Sequence, residues 1–112
     1  MIFRKKVLCI IPAKKKSIGL KNKNFKKVNG SPLYAHSIRT ALKCKYIDKI
    51  VVSSDSDKIL NYSKKPKILS LKRPNKLSSN KSQIKDVIFD ILKKVKLKFE
   101  ILVLLQPTTP II

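Results

Sequence analysis

Glycine is nearly absent from this chain, with 2 in 112 residues. That excludes a G-x-G-x-x-G dinucleotide fingerprint, and no G-x-x-x-x-G-K-[ST] phosphate loop is present either. Acidic residues are equally scarce: 6 Asp and Glu stand against 27 Lys and Arg, a formal charge of +21. Tryptophan is missing and aromatics make up 6% of the chain, too few for the stacking platform of a nucleic-acid-binding module. There are 2 cysteines, Cys9 and Cys44, and no C-x-x-C spacing. They read as reduced, structural thiols of a cytoplasmic protein, with a disulfide as the alternative. The one apolar run near the start, Val7 to Ile11, is too weak for a signal peptide and far too short to span a bilayer. A soluble protein with no membrane partner is expected.

What is present is a foldable chain. A hydrophobic fraction of 43% argues against a disordered basic tail, and the length suits a single domain over residues 1–112. Such an excess of positive charge ordinarily points to polyanions. Here the lysines are spread over nearly every segment, in the manner of A/T-rich codon usage, so a specific nucleic-acid partner does not follow.

The organising stretch is Val7 to Asn24, VLCIIPAKKKSIGLKNKN. An apolar run of the kind seen in a buried parallel strand passes through Pro12-Ala13 into a basic loop. The loop carries Lys14, Lys15, Lys16, Lys21 and Lys23 beside Ser17, Asn22 and Asn24. In an open α/β sheet, ligands bind beyond the carboxyl ends of strands, where this loop would lie. A phosphate cradle and a plain solvated loop are both open on local chemistry.

Downstream, Asn29-Gly30 predicts a turn, Ser31-Pro32 an N-cap and first helical position, and Leu33 to about Lys45 a helix. The single histidine, His36, lies in that helix and suits packing or the surface better than general-base work, having no carboxylate near in sequence. Lys49 to Ser54 reads as a second strand. At its end Ser56 or Asp57 can cap a helix over Lys58 to Lys64, a cap being preferred to a metal role for Asp57, and Asp55 is left open between metal ligand and loop residue. Lys67 to Ser70 reads as a third, near-edge strand and Leu71 to Lys81 as a polar loop. Ile84, Val87, Ile88, Ile91, Leu92 and Val95 form a helical stripe that must face the sheet. Asn80 or Ser82 can cap that helix, and Phe99 to Leu105 reads as a second central strand. Strands alternating with helices predict a parallel, Rossmann-like α/β sheet with right-handed crossovers.

Four blocks carry a family resemblance, in family order: Ile11-Pro12-Ala13-Lys14 with Ser17 and Lys23-Asn24; Val51 to Ser56; Arg73-Pro74 with Leu77; and Leu104-Leu105-Gln106-Pro107-Thr108-Thr109-Pro110. Together they resemble the acylneuraminate cytidylyltransferases (CMP-sialic acid synthetases), N-terminal half only. The first block departs from the family, with Lys14 in place of an arginine, Lys15 and Lys16 in place of two glycines, and Ile18 in place of a lysine. Lysine keeps the charge but not the bidentate fork, and the lost glycines let backbone N–H groups approach a phosphate closely.

The resemblance implies transfer of CMP from CTP to a sialic-acid-type sugar acid with release of pyrophosphate. It places Lys14, Ser17, Lys23 and Asn24 on the triphosphate, Lys23 as the catalytic cation, and Arg73, Ser82, Gln83 and Gln106 around the nucleotide. A fork-bearing arginine in a lysine-saturated chain fits that role, though a surface arginine and a simple helix cap would also explain Arg73 and Ser82. Mg2+ is implied, with its acidic ligands outside this chain, as are most of the sugar pocket and a homodimer-forming segment. Family members are considerably longer, so catalysis by this stretch alone is not expected. Two alternatives stand beside this reading: a nucleotidyltransferase for a pseudaminic, legionaminic or 3-deoxy-octulosonic type of acid, and a non-catalytic basic polyanion-binding module.

Overall fold

A computed structural model of the chain describes residues 1–13, 27–28, 30–72, 84–95 and 98–106. The elements run β1 (Val7–Ala13), β2 (Lys27–Val28), β3 (Ser31–Pro32), α1 (Leu33–Lys43), β4 (Lys49–Ser54), α2 (Asp57–Tyr62), β5 (Ile68–Lys72), α3 (Ile84–Lys94) and β6 (Ile101–Leu104). Four strands form a parallel sheet in the order β5-β4-β1-β6, as the alternation of apolar strands and amphipathic helices predicts.

β1 is the middle of this sheet, buried at all seven positions. Strand alternation sends its two sets of side chains to opposite faces. Val7, Cys9, Ile11 and Ala13 join Ile50 and Val52 in a core beneath α1 and α2, to which Tyr34, Ile38, Ala41 and Ile59 contribute. Leu8 and Ile10 join Val51 beneath α3, covered by Val87, Ile91 and Val95. Tyr34 and Tyr62 meet edge to face at 5.5 Å between ring centres, tying α1 to α2.

The sheet is anchored at its amino end by a residue the sequence reading passed over. The Asp48 carboxylate accepts the Val7 N–H at 2.7 Å and pairs with the Met1 amine at 3.2 Å. The Val7 hydrogen bond, with help from the amine and Lys6, holds this carboxyl below its ordinary range against the opposing effect of desolvation. Across the sheet, the Glu100 carboxylate accepts the Lys6 N–H.

Several boundaries differ from expectation. β1 does not yield to the loop at Pro12 but runs on through Ala13, because Pro12 and Ala13 stay in register with Ser53 and Ser54 of β4. Ser31-Pro32 does not open a helix: it pairs with β2 around Gly30 (φ +82°), and Pro32 becomes the N-cap of α1 with no side-chain cap bond. α1 stops at Lys43, two residues early. The cap of α2 is Ser56, whose hydroxyl accepts the Ile59 N–H at 3.4 Å, while Asp57 is the first helical residue and pairs with Lys72. β5 takes Leu71 and Lys72 from the expected loop. Leu92, placed in the buried stripe by its spacing, is 37% exposed, since the stripe is centred on Val87 and Ile91. β6 is shorter than expected and, among the described residues, is an edge strand with half-buried and exposed positions alternating.

Candidate functional site

The chain leaves β1 toward β4 on one side and reaches β6 on the other, by way of helices on opposite faces. β1 and β6 therefore flank the topological switch point, where open α/β sheets leave a crevice beyond the strand ends. Backbone hydrogen bonding explains where the pairing of β1 with β6 ends. Lys6 and Ile10 present their carbonyls to β6, accepting from Ile101 at 3.1 Å and from Leu105 at 3.0 Å. By strand alternation Pro12 faces the same way, and it has no N–H to give. The ladder between β1 and β6 ends at Leu105, and Gln106 comes next, with its side chain exposed. A primary amide there can both donate to and accept from a base edge.

The other two strand ends are built from hydroxyls and one lysine. Ser53 and Ser54 are buried, and the Ser54 hydroxyl accepts the Ser56 N–H at 3.0 Å, closing the turn into α2. Lys72, which the sequence reading did not single out, ends β5 level with Ser54. Its ammonium donates to the Asp55 carbonyl at 3.2 Å and to the Asp57 carboxylate at 2.9 Å. That bond and the lysine's charge lower the Asp57 pKa. Lysine frequency hid Lys72; the available signal was its place at a strand end, next to Arg73.

Of the nucleotide-site residues that the resemblance implies, only Gln106 is among those described. Lys14, Ser17, Lys23, Asn24, Arg73, Ser82 and Gln83 lie outside the described residues. Asp55 is half-buried at the end of β4. Among the described residues, no three of His, Cys, Asp and Glu come together as metal ligands. His36 is half-buried within α1, its carbonyl accepting the Thr40 hydroxyl at 2.8 Å. Both cysteines are free thiols, as expected, and burial pushes Cys9 up to about 11. No helix among the described residues is long and apolar enough to cross a membrane.

Comparison with known proteins agrees with this geometry. The chain is 34% identical over 107 residues to the N-acylneuraminate cytidylyltransferase of Escherichia coli, an alignment covering 96% of this chain and 25% of that protein. It is 33% identical over 109 residues to the CMP-N,N'-diacetyllegionaminic acid synthase of Legionella pneumophila, covering 94% and 47% respectively. The chain thus spans about a quarter to a half of the relatives' length. A solved structure of CMP:2-keto-3-deoxy-manno-octonic acid synthetase complexed with CTP superposes with a TM-score of 0.71 over 92% of this chain and 40% of that one. Its 21% identity makes this a likeness of fold, which is the Rossmann-like one expected. The profile of the cytidylyltransferase family matches residues 8–112, and the chain belongs to that family.

Proposed function

We propose that residues 1–112 form one nucleotide-binding domain, the CTP-holding part of an enzyme that transfers CMP to a sialic-acid-type sugar acid. In that reaction a sugar hydroxyl attacks the α-phosphorus of CTP and pyrophosphate leaves. Catalysis is then chiefly positioning and charge stabilisation, which suits a basic loop at a strand end. What supports the reading most is the switch point between β1 and β6, with a lysine-rich segment directly following β1 in sequence and Gln106 directly following the last rung of β6.

In this reading Lys14, Ser17, Lys23 and Asn24 hold the triphosphate, and Lys23 stabilises the charge that develops on the departing pyrophosphate. Arg73, Ser82, Gln83 and Gln106 shape the nucleotide pocket. Mg2+, when bound, would neutralise phosphate charge. A protein that works on CTP is expected in the cytoplasm. The legionaminic relative, and a pseudaminic acid cytidylyltransferase of Campylobacter jejuni at 46% identity over 55 residues, favour a second reading in which the acceptor is another acid of that kind.

Calorimetric titration with CTP, ATP and GTP at moderate and high salt tests the donor site. CTP is expected to bind more tightly than the purine nucleotides, with the preference lost in Gln106→Ala and affinity lowered in Lys23→Ala. Equal, salt-sensitive binding of all three would refute the reading. Polynucleotide binding that falls steeply with salt and ignores CTP would favour the polyanion module instead.

A further inference from the structure

The amino ends of the strands carry a hollow that the nucleotide reading does not use. A cavity of about 300 Å³ opens where β1 and β4 begin and where the chain enters β6, a volume at the low end of the range for small-molecule sites. Val7 opens β1, Lys49 opens β4, and Phe99 stands just before β6. β1 is seven residues long, so roughly 20 Å of strand separates this cavity from the switch point at the carboxyl ends.

The lining is divided in kind. Val7 and Leu8 are each 1% exposed, and Phe99 is half-buried against the core beneath α3, so one wall is apolar and fixed. Lys49 pairs in register with Leu8 and alternates with Val51, which sets it on the α3 side of the sheet. Lys6 and Lys98 join it from two other stretches of chain, and both are exposed. Lys49 gives one of its three donors to the Pro66 carbonyl at 3.3 Å. Asp48 is the one acid in the lining, and its carboxylate is already engaged by the Val7 N–H at 2.7 Å and the Met1 amine at 3.2 Å.

We propose that this cavity binds a phosphomonoester carried on a small apolar or aromatic group, at a site separate from the nucleotide site. Charge selects a dianion, because three lysines against one carboxylate leave an excess of two positive charges in the lining. A phosphomonoester carries about −1.5 to −2 at pH 7. Shape selects phosphate over carboxylate. Tetrahedral oxygens meet point charges arriving from several sides, whereas a planar carboxylate suits the arginine fork, and the lining holds lysine alone as its cation. The apolar wall selects the rest of the ligand, since the Phe99 ring can pack against an aryl group above Val7 and Leu8. Dispersed surface lysine attracts any anion; what sets this place apart is that positive charge and a buried apolar wall share one cavity.

The test follows amide shifts of the whole chain by NMR during titration with phenyl phosphate, inorganic phosphate and phenol, at about 0.15 M salt, with and without CTP. Shifts are expected to concentrate at Val7, Leu8, Lys49 and Phe99, with phenyl phosphate binding about tenfold more tightly than either fragment. Nuclear Overhauser contacts from the phenyl protons to the Phe99 ring and the Leu8 methyls check the pose without any variant. Lys6→Gln/Lys98→Gln, altered only at exposed positions, keeps the fold and lowers the affinity about tenfold. Lys43→Gln/Lys64→Gln removes the same charge from exposed positions at the ends of α1 and α2, on the other face, and lowers it less than about twofold. CTP leaves the shifts in place. Equal losses in the two double variants, inorganic phosphate binding as tightly as phenyl phosphate, or shifts spread evenly over the lysine-bearing surface would overturn the proposal. Displacement of phenyl phosphate by CTP would overturn it too.

Discussion

Replacing Ile91 by alanine tests how α3 is held on the sheet. Ile91 is 0% exposed and packs with Val87, Val95, Leu8, Ile10 and Val51 in the smaller of the two core clusters. Alanine removes three buried carbons, a transfer loss of roughly 2.4 kcal/mol at about 0.8 per CH2. The unfilled space adds to this, so a total near 3 kcal/mol is expected. Against a stability of roughly 5–15 kcal/mol for a domain of this size, that is a large fraction. With a urea m-value of roughly 1.5 kcal/mol per molar, the unfolding midpoint should fall by about 2 M. The internal control is Phe89, one turn-fraction away but 61% exposed. Phe89→Ala should change the midpoint by less than about 0.5 kcal/mol worth of stability. Both are read by circular dichroism in urea at fixed, moderate salt. Equal losses for the two variants would refute the assignment of the α3 faces.

Four further outcomes rest on named contacts. Ser56→Ala removes the cap of α2 and should cost about 1 kcal/mol, whereas Asp57→Ala should change stability little because its ion pair is solvent-exposed; chemical denaturation separates them. Cys44, half-buried, should be alkylated by iodoacetamide well before Cys9, whose thiol is kept neutral to about pH 11 mainly by burial. Because that raised value favours the protonated thiol in the folded state, its contribution is full below pH 9 and fades as pH rises toward about 11; Cys9→Ala should flatten that limb, as seen in thermal melts. Asp48 acts with the opposite sign. Its lowered pKa gives stability above the ordinary carboxylate range that is lost as pH falls through the lowered value, and Asp48→Asn should remove that part of the acid transition.

The parts of the fold that could be read from sequence are those where one residue's environment follows from its own period. The strand starting at Val7, the strand Lys49–Ser54 and the stripe around Val87 and Ile91 are of that kind. Edge status was not, because the apolar run Ile101-Leu102-Val103-Leu104 looks the same whether a neighbour covers one side or both. Ser56 and Asp57 are both good caps for α2, and only the chain's path out of β4 chooses Ser56. Asp48 escaped notice since its partners, the Val7 N–H and the Met1 amine, are distant in sequence. Of the candidate site, Gln106 was legible through its motif and its place after a strand. Lys72 was not, being one lysine among many.

Pro12 has a consequence that reaches past its own strand. Along most of a parallel pair, each added residue zips the neighbours closer, and a sheet lined with valine, isoleucine and leucine would keep closing up to its rim. An imino acid in the middle strand acts as a stop on that zip. It keeps β4 in register on one side through Ala13 while denying β6 its next rung on the other. A residue with an N–H at position 12 would offer the Leu105 carbonyl one more rung, a gain set against the freedom that proline removes from the unfolded chain.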